Sequence, residues 1–484
     1  MQFNKISLLP LALTPTPTPN GRGAFRTLLL WEKGRVEGWR IRYSLLFGIA
    51  LIFLLPLSSV FAQEPPPPIY AVPDADEFTP LVSQPFAVLR SGLVAVVNPD
   101  FASVGIVDLA ERTLVSEISV GANPVAIALT SDNARLYVAS AIERAIYIID
   151  VESLTVTEVI PLENLEVTDG QTLKGMVIVN DSTVVVSIGN ALVRYDLDTG
   201  ARERYPLSLQ AEVGSFVVWG AFYYVRPFDS TVALLNNPNN ATQVLLSPQT
   251  NTAIIGTMAI NSRDDLLYVS YTRYDELETF DLRFQPYVAV IDLTRFEVID
   301  TLHLDVVDSA WHLPSAVTLS SGRTQLYVIY AASNRLSVID LETRQRAATV
   351  TTGSHPVAIG FSRDNSEVFT IDCVGSTLSL FDTQFHFPID TIPTTTQTLL
   401  PDVGRGEQLF YTATDPQIAW NNSTSCNSCH TGQGANAISA VLDPAMNDPN
   451  TRQFLREHIV NTQGGTGLSD VDLDALIAYL KAQP

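Results

Sequence analysis

Two cysteines three positions apart and an adjacent histidine form the segment with the clearest chemistry, Cys426-Asn427-Ser428-Cys429-His430. Two thiols at this spacing can each add to one vinyl group of a single haem, while the next residue presents an imidazole nitrogen to the iron. A thioredoxin-like redox pair and half of a zinc site are the alternatives. The first needs a βαβ context and the second needs another cysteine or histidine pair, and the sequence has neither. The spacing therefore predicts one covalent haem c, held by Cys426 and Cys429, with His430 on the iron.

An apolar run near the start of the sequence predicts export. Leu45 to Phe61 follows two arginines and ends at Val60-Phe61-Ala62, which has small residues where a signal peptidase reads the chain. Four prolines come soon after it, and they cannot continue a membrane helix. We therefore interpret residues 1–62 as an N-terminal extension with a secretory signal peptide or an uncleaved anchor, followed by a proline-rich linker over 63–79. The rest of the chain is then exported, to the periplasm or the outer face of the membrane, where c-type haem is attached.

Length and charge restrict the classes of function. A chain of 484 residues is too long for one ordinary core, so at least two domains are expected. The formal net charge of −22 argues against nucleic acid as a partner, because phosphate binding needs clustered lysine and arginine. An acidic surface suits a basic redox partner protein, and it also keeps a protein soluble whatever its partners are. A membrane is a partner only if the N-terminal segment stays uncleaved.

The middle of the chain is self-similar. The stretch Gly121 to Leu129 returns as Gly353 to Phe361, and an Asp-Asn pair follows each copy. A second marker is an apolar strand that ends in aspartate, and most neighbouring markers are 42 to 48 residues apart. One gap of 96 residues has room for a worn copy at Val232–Asn236, which makes seven units. The aspartate markers are Asp108, Asp150, Asp196, Asp292, Asp340 and Asp382.

A repeat of this length with four short strands per unit predicts a β-propeller. The nearly continuous apolar runs Val125–Leu129 and Val357–Phe361 suit strands that are buried on both faces between blades. The succession of Gly-x-x-Pro, an apolar strand, Asp-Asn and Leu-Tyr-Val resembles the YVTN-type propeller repeat. The resemblance implies a seven-bladed propeller over residues 80–392, and in this class such domains act as scaffolds or house a second cofactor. The first and last units each contain four strands, so closure of the ring does not require strand exchange.

The C-terminal region carries helical signals. Gly404 to Phe410 predicts a short helix, and Ser469 is a plausible N-cap for a last helix with aspartates in its first turn. This arrangement resembles a small class I cytochrome c domain over residues 402–484, joined to the propeller by a threonine-rich linker, 393–401. The resemblance implies that Gly406 and Phe410 pack across Leu476, Tyr479 and Leu480. The expected fold class is therefore multidomain, an all-β seven-bladed β-propeller followed by a small all-α cytochrome c domain.

The sixth iron ligand is where this chain departs from that family. A methionine usually lies in the loop before the last helix, but here that loop is Gln463-Gly464-Gly465-Thr466-Gly467. Met446, in a polar loop, is our first choice because thioether ligands are usual in electron carriers. His458, in a helix expected over 450–461, is a second choice, although an edge histidine of an amphipathic helix is its simpler interpretation. An open or water-filled position is the third.

The remaining histidines raise the question of a second cofactor in the propeller. His355 begins an inner strand near the central funnel, and a metal or haem d1 there needs it together with His303 or His312. Asn123 stands at the same place in the other copy, which favours a turn position that merely tolerates polar residues. His386 and Cys373 carry no such signal, and Cys373 is most simply an apolar core residue.

The sequence thus leaves three hypotheses for function. The leading one is an exported electron-transfer cytochrome in which the propeller docks a partner or positions the haem. The second is an oxidoreductase similar to haem d1 nitrite reductase, with a second cofactor in the propeller that exchanges electrons with the haem. The third is a surface scaffold or sensor in which haem is of secondary use.

Overall fold

The structure is a computed structural model that describes residues 80–162, 171, 173–206, 213–219, 222–227, 232–235, 243–246, 252–274, 284–304, 312–419, 425–429 and 449–482. All of them belong to one compact unit. The strands lie before residue 394 and the α-helices after residue 400. In these ranges no helix is long and apolar enough to span a membrane.

The first strand, β1 (Leu81–Val82), belongs to a five-stranded sheet described below, and six other sheets share one plan of four antiparallel strands paired in sequence order. The three N-terminal ones contain β2 (Phe86–Val88), β3 (Leu93–Asn98), β4 (Ser103–Asp108) and β5 (Thr113–Ser119); β6 (Pro124–Leu129), β7 (Arg135–Ser140), β8 (Ala145–Asp150) and β9 (Thr155–Pro161); and β10 (Leu173–Asn180), β11 (Thr183–Ile188), β12 (Ala191–Asp196) and β13 (Arg202–Pro206).

The remaining sheets follow in sequence. The five-stranded sheet has the order β1-β14-β15-β16-β17, with β14 (Val213–Trp219), β15 (Phe222–Pro227), β16 (Val232–Leu235) and β17 (Gln243–Leu246). The last three four-stranded sheets contain β18 (Thr252–Asn261), β19 (Leu266–Tyr274), β20 (Phe284–Asp292) and β21 (Glu297–His303); β22 (Pro314–Leu319), β23 (Gln325–Tyr330), β24 (Arg335–Asp340) and β25 (Gln345–Thr351); and β26 (Ser354–Phe361), β27 (Glu367–Val374), β28 (Thr377–Asp382) and β29 (Pro388–Pro393).

The recurrent aspartate ends the third strand of each four-stranded sheet and shapes the turn that follows. In Asp108, for example, Oδ1 accepts hydrogen bonds from the backbone N–H groups of Ala110 and Glu111, at 2.8 and 3.0 Å. Arg112, next in this turn, has a left-handed backbone with φ of 57°. A short acceptor side chain at the start of the turn satisfies N–H groups that have no strand partner. The sequence marker is therefore a turn signal, which explains its regular spacing.

The sheets follow one another around a central axis. First strands of successive sheets contact each other along the series from β2 through β6, β10, β14, β18 and β22 to β26. The series closes where the last sheet packs on the first, with Phe86 and Phe369 in edge-to-face contact at 5.0 Å between ring centroids. Arg112 and Glu367 form an ion pair across the same joint. This arrangement is that of a β-propeller, and the six four-stranded sheets are its blades. The first and last blades each contain four consecutive strands, as predicted.

The chain beyond the last blade is held against the first blade. The carboxylate of Glu117 on β5 accepts hydrogen bonds from Thr395, Thr396 and Gln397, at 2.6 to 2.9 Å. These bonds outweigh its partial burial and lower the pKa of Glu117 to about 2. Asn98 donates to the carbonyl oxygen of Thr394 at 2.8 Å. The segment predicted as a linker therefore has a fixed path along the first blade.

The helices follow this segment. They are α1 (Pro401–Tyr411), α2 (Cys426–Cys429), α3 (Pro449–His458), continued by a π-helical turn at Ile459–Gln463, and α4 (Asp470–Ala482). We call the described residues between 401 and 482 the helical segment. The N-cap predicted for the last helix is confirmed, because the N–H of Asp472 donates to Oγ of Ser469 at 3.1 Å.

Candidate functional site

The predicted haem-attachment motif begins with one turn of helix. Cys426 and Cys429 are the first and last residues of α2. The side chain of Cys426 is buried. His430 and Met446, predicted as iron ligands, lie outside the described residues, as does the side chain of Cys429. The structure therefore places one of the two candidate attachment thiols in the interior of the helical segment.

Cys426 belongs to a hydrophobic cluster that forms the core of the helical segment. Each of the four helices contributes residues to the cluster. It extends into the propeller through Leu313, Ala331 and Ala332. Such a core keeps water away from the side chain of Cys426. Its members in the helical segment are Leu409, Phe410, Ala413, Ile418, Ala419, Cys426, Leu455, Ile459, Leu468, Leu473, Leu476, Ile477, Tyr479 and Leu480.

The first and last helices cross closely at Gly406. A Cβ atom there would lie 2.0 Å from the carbonyl oxygen of Ala475 and 2.6 Å from Cβ of Tyr479, so only glycine permits this approach. The ring of Phe410 lies 5.6 Å from that of Tyr479. Arg405 bridges the same helices through Asp472, with Nε 2.8 Å from its carboxylate. The predicted packing of Gly406 and Phe410 against the last helix is confirmed.

The loop before the last helix is paired with the chain that follows α1. Ala419 and Gly464 form a β-bridge, and the N–H of Thr466 donates to the carbonyl of Pro416 at 2.9 Å. A Cβ on Gly465 would lie 2.3 Å from the carbonyl oxygen of Gln417. This loop is therefore held by backbone contacts. Small class I cytochromes c, which the segment resembles in sequence, usually have a methionine at this place.

His458 lies at the end of α3, on a different face from the core residues of that helix. Its ring stacks on Phe454 at 5.9 Å, and the side chain of Phe454 is 56% exposed. Leu455, which follows Phe454, and Ile459, which follows His458, lie in the cluster with Cys426. Burial lowers the pKa of His458. This position of His458 agrees with the simpler interpretation from the sequence, a histidine at the edge of an amphipathic helix.

The propeller meets the helical segment at His355. This histidine is 6% exposed, its ring lies 4.3 Å from that of Tyr411, and Nε2 lies 3.4 Å from Nδ2 of Asn427. Asn427 is the residue after the first cysteine of the motif. A cavity of about 360 Å³ opens beside this contact, with Arg405 in its wall. Sequence reasoning missed Tyr411 and Asn427, since nothing in their local pattern shows which blade they touch.

Two of the other propeller histidines lie away from the contact between His355 and the helical segment. His303 is exposed on the outer strand β21 against Tyr287, and His386 occupies a blade turn against Tyr327. His312 is buried, and its backbone N–H donates to Ser333. Within the described ranges, no group of three or more histidine, cysteine, aspartate or glutamate side chains is arranged to hold a metal ion.

Part of the central channel is filled by the start of the described chain. β1 pairs with β14, and the N–H of Ser83 donates to the carbonyl of Phe216 at 3.0 Å. The same segment bonds two further first strands, through Ile127 N–H to the Gln84 carbonyl and Met176 N–H to Ser83 Oγ. The start of the described chain therefore lies along the inner strands of three sheets, beside a cavity of about 340 Å³.

An acidic pair lies at another point of contact between the propeller and α1. Glu407 is 4% exposed, and its carboxyl shares a hydrogen bond with that of Asp100, in the turn between β3 and β4. Burial raises the pKa of Glu407 to about 8, and the negative charge of Asp100 contributes. Two carboxyls this close are held best by one shared proton.

This pair predicts a pH-dependent stability. The folded-state pKa of Glu407 lies above its unfolded value of 4.5, so its stabilising contribution is complete below pH 4.5 and is lost as the pH rises through about 8. Glu407→Gln can donate the same hydrogen bond without a charge. We expect the variant to be more stable than the parent at pH 8 by about 1–2 kcal/mol, with no gain at pH 5. Urea unfolding at both pH values, with the exposed Glu111→Gln as control, measures this; a uniform gain at both would contradict it.

Comparisons with known proteins bear on the fold. No protein-family model matches the chain, and no curated protein matches its sequence. A chain of Kuenenia stuttgartiensis hydrazine synthase is 16% identical and has a TM-score of 0.50, over 61% of this chain and 93% of that one. The dihydro-haem d1 dehydrogenase NirN, solved with DHE, is 14% identical with a TM-score of 0.44, over 70% and 78%. The likeness to the hydrazine synthase chain agrees with a β-propeller. At these identities it shows the fold alone.

The residues present fit the group that the motif implies. Haem c needs two thiols one helical turn apart, and Cys426 and Cys429 bound such a turn. It also needs apolar surroundings, and Cys426 lies in a cluster of leucine, isoleucine and aromatic side chains. The donor set and its surroundings therefore suit a porphyrin, and the propeller supplies part of the same core.

Proposed function

We propose that this protein is an exported c-type cytochrome that transfers single electrons through one haem c. Cys426 and Cys429 hold the haem through thioether bonds, and His430 is the proximal iron ligand. Met446 is the proposed sixth ligand, with His458 as the less favoured candidate. The helical segment acts as a small cytochrome domain of the class I type.

One observation carries this proposal. The turn of helix that bears the cysteine pair lies at the interior of a helical segment whose first and last helices cross at a required glycine, Gly406. A redox-active dithiol must be reached by another protein's thiol, yet Cys426 is buried among apolar side chains. Burial of this kind suits a cysteine that is permanently attached to a large apolar group.

The bound haem supplies one-electron chemistry, and the chain sets the conditions for it. The apolar cluster around Cys426 excludes water, which, with hydrogen bonding to the ligands, is a main determinant of a haem potential. Arg405 forms ion pairs with two carboxylates of the segment, Asp415 and Asp472, at 3.2 and 2.8 Å. The ion pairs Arg452–Asp474 and Arg456–Asp470 tie α3 to α4. These contacts hold the helices around the core.

The propeller serves in this proposal as the docking or scaffold domain. We propose that the five-stranded sheet is its seventh blade, with β14–β17 as the blade and β1 as an added inner strand. The net charge of −22 favours a basic protein as the redox partner. The apolar run at Leu45–Phe61 supports export to the periplasm or the outer membrane face.

An absorption spectrum of the purified protein tests the proposal. Protein made in a host that attaches c-type haem should contain one haem per chain, by haemochrome assay, and no other chromophore. Absence of haem would contradict the proposed function. Bands of a second chromophore, or a second metal equivalent, would instead support an enzyme with a cofactor in the propeller.

The sixth ligand has its own prediction. Replacing Met446 by alanine should abolish the charge-transfer band that a thioether gives to ferric haem, while leaving the haem attached. The potential should fall as well, because thioether ligation favours the reduced iron. His458→Ala is the control and should change neither property. Retention of the band in Met446→Ala, or its absence from the parent, would exclude Met446 as the ligand.

A further inference from the structure

His355 occupies a backbone position that does not require a histidine. It precedes Pro356 at the start of an inner strand and has a left-handed φ of 55°. Two other blades have the same position, before a proline and with φ of 52° and 60°, but the residues there are Asn123 and Leu313. Asparagine and histidine are both among the residues that adopt this backbone most readily after glycine, and Leu313 shows that neither is required there. The identity of His355 is therefore explained by what its side chain touches.

The imidazole touches two helices of the helical segment. Its ring packs at 4.3 Å on Tyr411, the last residue of α1, and Nε2 lies 3.4 Å from the side-chain amide of Asn427 in α2. Burial lowers the pKa of His355 to about 3, so the ring is neutral, and hydrogen bonds to the backbone of Ala331 and Tyr411 partly offset this effect. The backbone N–H of His355 donates a hydrogen bond to Oδ1 of Asn334 at 2.8 Å. This bond holds His355 in place on the propeller.

The contact with Asn427 matters because of where that residue lies. It is the first of the two residues between Cys426 and Cys429, so its side chain is attached to the turn that holds both thiols. Tyr411 in turn packs on Phe410, whose ring contacts Tyr479 of α4. One histidine of the last blade thus connects the propeller to the attachment turn and to the helix crossing.

We propose that His355 is a positioning residue for the haem: it fixes the orientation of the Cys426–Cys429 turn against the propeller. The inference rests on the proposed function. It gives the propeller a direct effect on the haem, since hydrogen bonds and burial around the attachment site set the reduction potential.

The test replaces His355 by asparagine, which the same backbone position already accommodates in the second blade. The shorter side chain cannot reach Asn427 or cover Tyr411. We expect the equilibrium constant for haem reduction to change roughly threefold to tenfold, where tenfold corresponds to about 59 mV for one electron. His386→Asn is the matched control, because it makes the same change in the same blade at a left-handed φ of 56°, against Tyr327 instead of the helical segment. Its potential should equal that of the parent.

A second variant reaches the same contact from the other side. Asn427→Ala should shift the potential in the same direction, and the double variant should shift it no further than the larger single change. A potential that stays at the parent value in His355→Asn, or shifts that simply add, would overturn the positioning role even if the melting temperature fell. Haem content is measured on the same samples, so a parent without haem would refute the proposed function itself, whereas a loaded parent with an unmoved variant refutes only this inference.

Discussion

Replacing both Cys426 and Cys429 by alanine should yield a protein that carries no covalent haem, whereas Cys373→Ala should carry as much as the parent. Thioether attachment needs the thiols of the motif, and Cys373 lies on β27 of the last blade, in the propeller. The comparison separates the role of the motif from a general effect of cysteine loss. Haem stain after denaturing electrophoresis measures the covalent fraction directly.

The same double variant should also have a less stable helical segment than the parent. Cys426 lies in the core shared by the helices, so a haem attached there would pack on that core, and its absence removes those contacts. We expect the segment to unfold in less denaturant than in the parent, while the propeller transition stays near its parent value. A double variant that still holds covalent haem would show that other residues attach it, and the interpretation of the motif would be wrong.

The second large effect is expected at Gly105 on β4. A Cβ atom there would lie 1.9 Å from the carbonyl oxygen of Thr394, far inside van der Waals contact. That carbonyl cannot easily move away, because Asn98 donates to it and also accepts from Oγ1 of Thr394 at 2.7 Å. Gly105→Ala must therefore displace the segment that leads from the propeller to α1. We expect a loss of about 3 kcal/mol in the free energy of unfolding.

The control for this change is Gly322→Ala. A Cβ on Gly322 would meet only Oγ1 of Thr324, at 3.8 Å, so the substitution should change stability by less than about 0.5 kcal/mol. Proteolysis gives an independent measurement, because a displaced Thr394–Gln397 segment becomes accessible to protease in Gly105→Ala and stays protected in the control. Equal stability and equal protection in both variants would contradict the account of this joint.

The features that were predictable are those that the chain repeats locally. The aspartates were visible as markers because each blade needs the same turn, as the hydrogen bonds of Asp108 show. The crossing of α1 and α4 was predictable because Gly406 and Phe410 follow a helical period and resemble a known pairing. The likeness to solved structures supports the propeller and no function.

Other features depend on contacts between residues far apart in sequence, and no local sequence pattern predicts them. The two residues of β1 pair with β14 only because the ring brings that edge close to the start of the described chain. The local sequence predicts that Glu117 is an ordinary exposed strand residue. In the structure its carboxylate accepts hydrogen bonds from Thr395 and Gln397, among others. His355 was interpreted as a tolerated polar residue by comparison with Asn123, and its contacts with Tyr411 and Asn427 become visible only when the helices are in place.

The mass of one tryptic peptide tests the central claim most directly. Trypsin cleaves after Arg405 and Arg452, and no lysine or arginine lies between them, so Gly406–Arg452 is released with both cysteines and His430. From protein made in a host that attaches c-type haem, we predict a peptide heavier than its amino acids by one haem. A peptide with the mass of its amino acids alone would contradict the account.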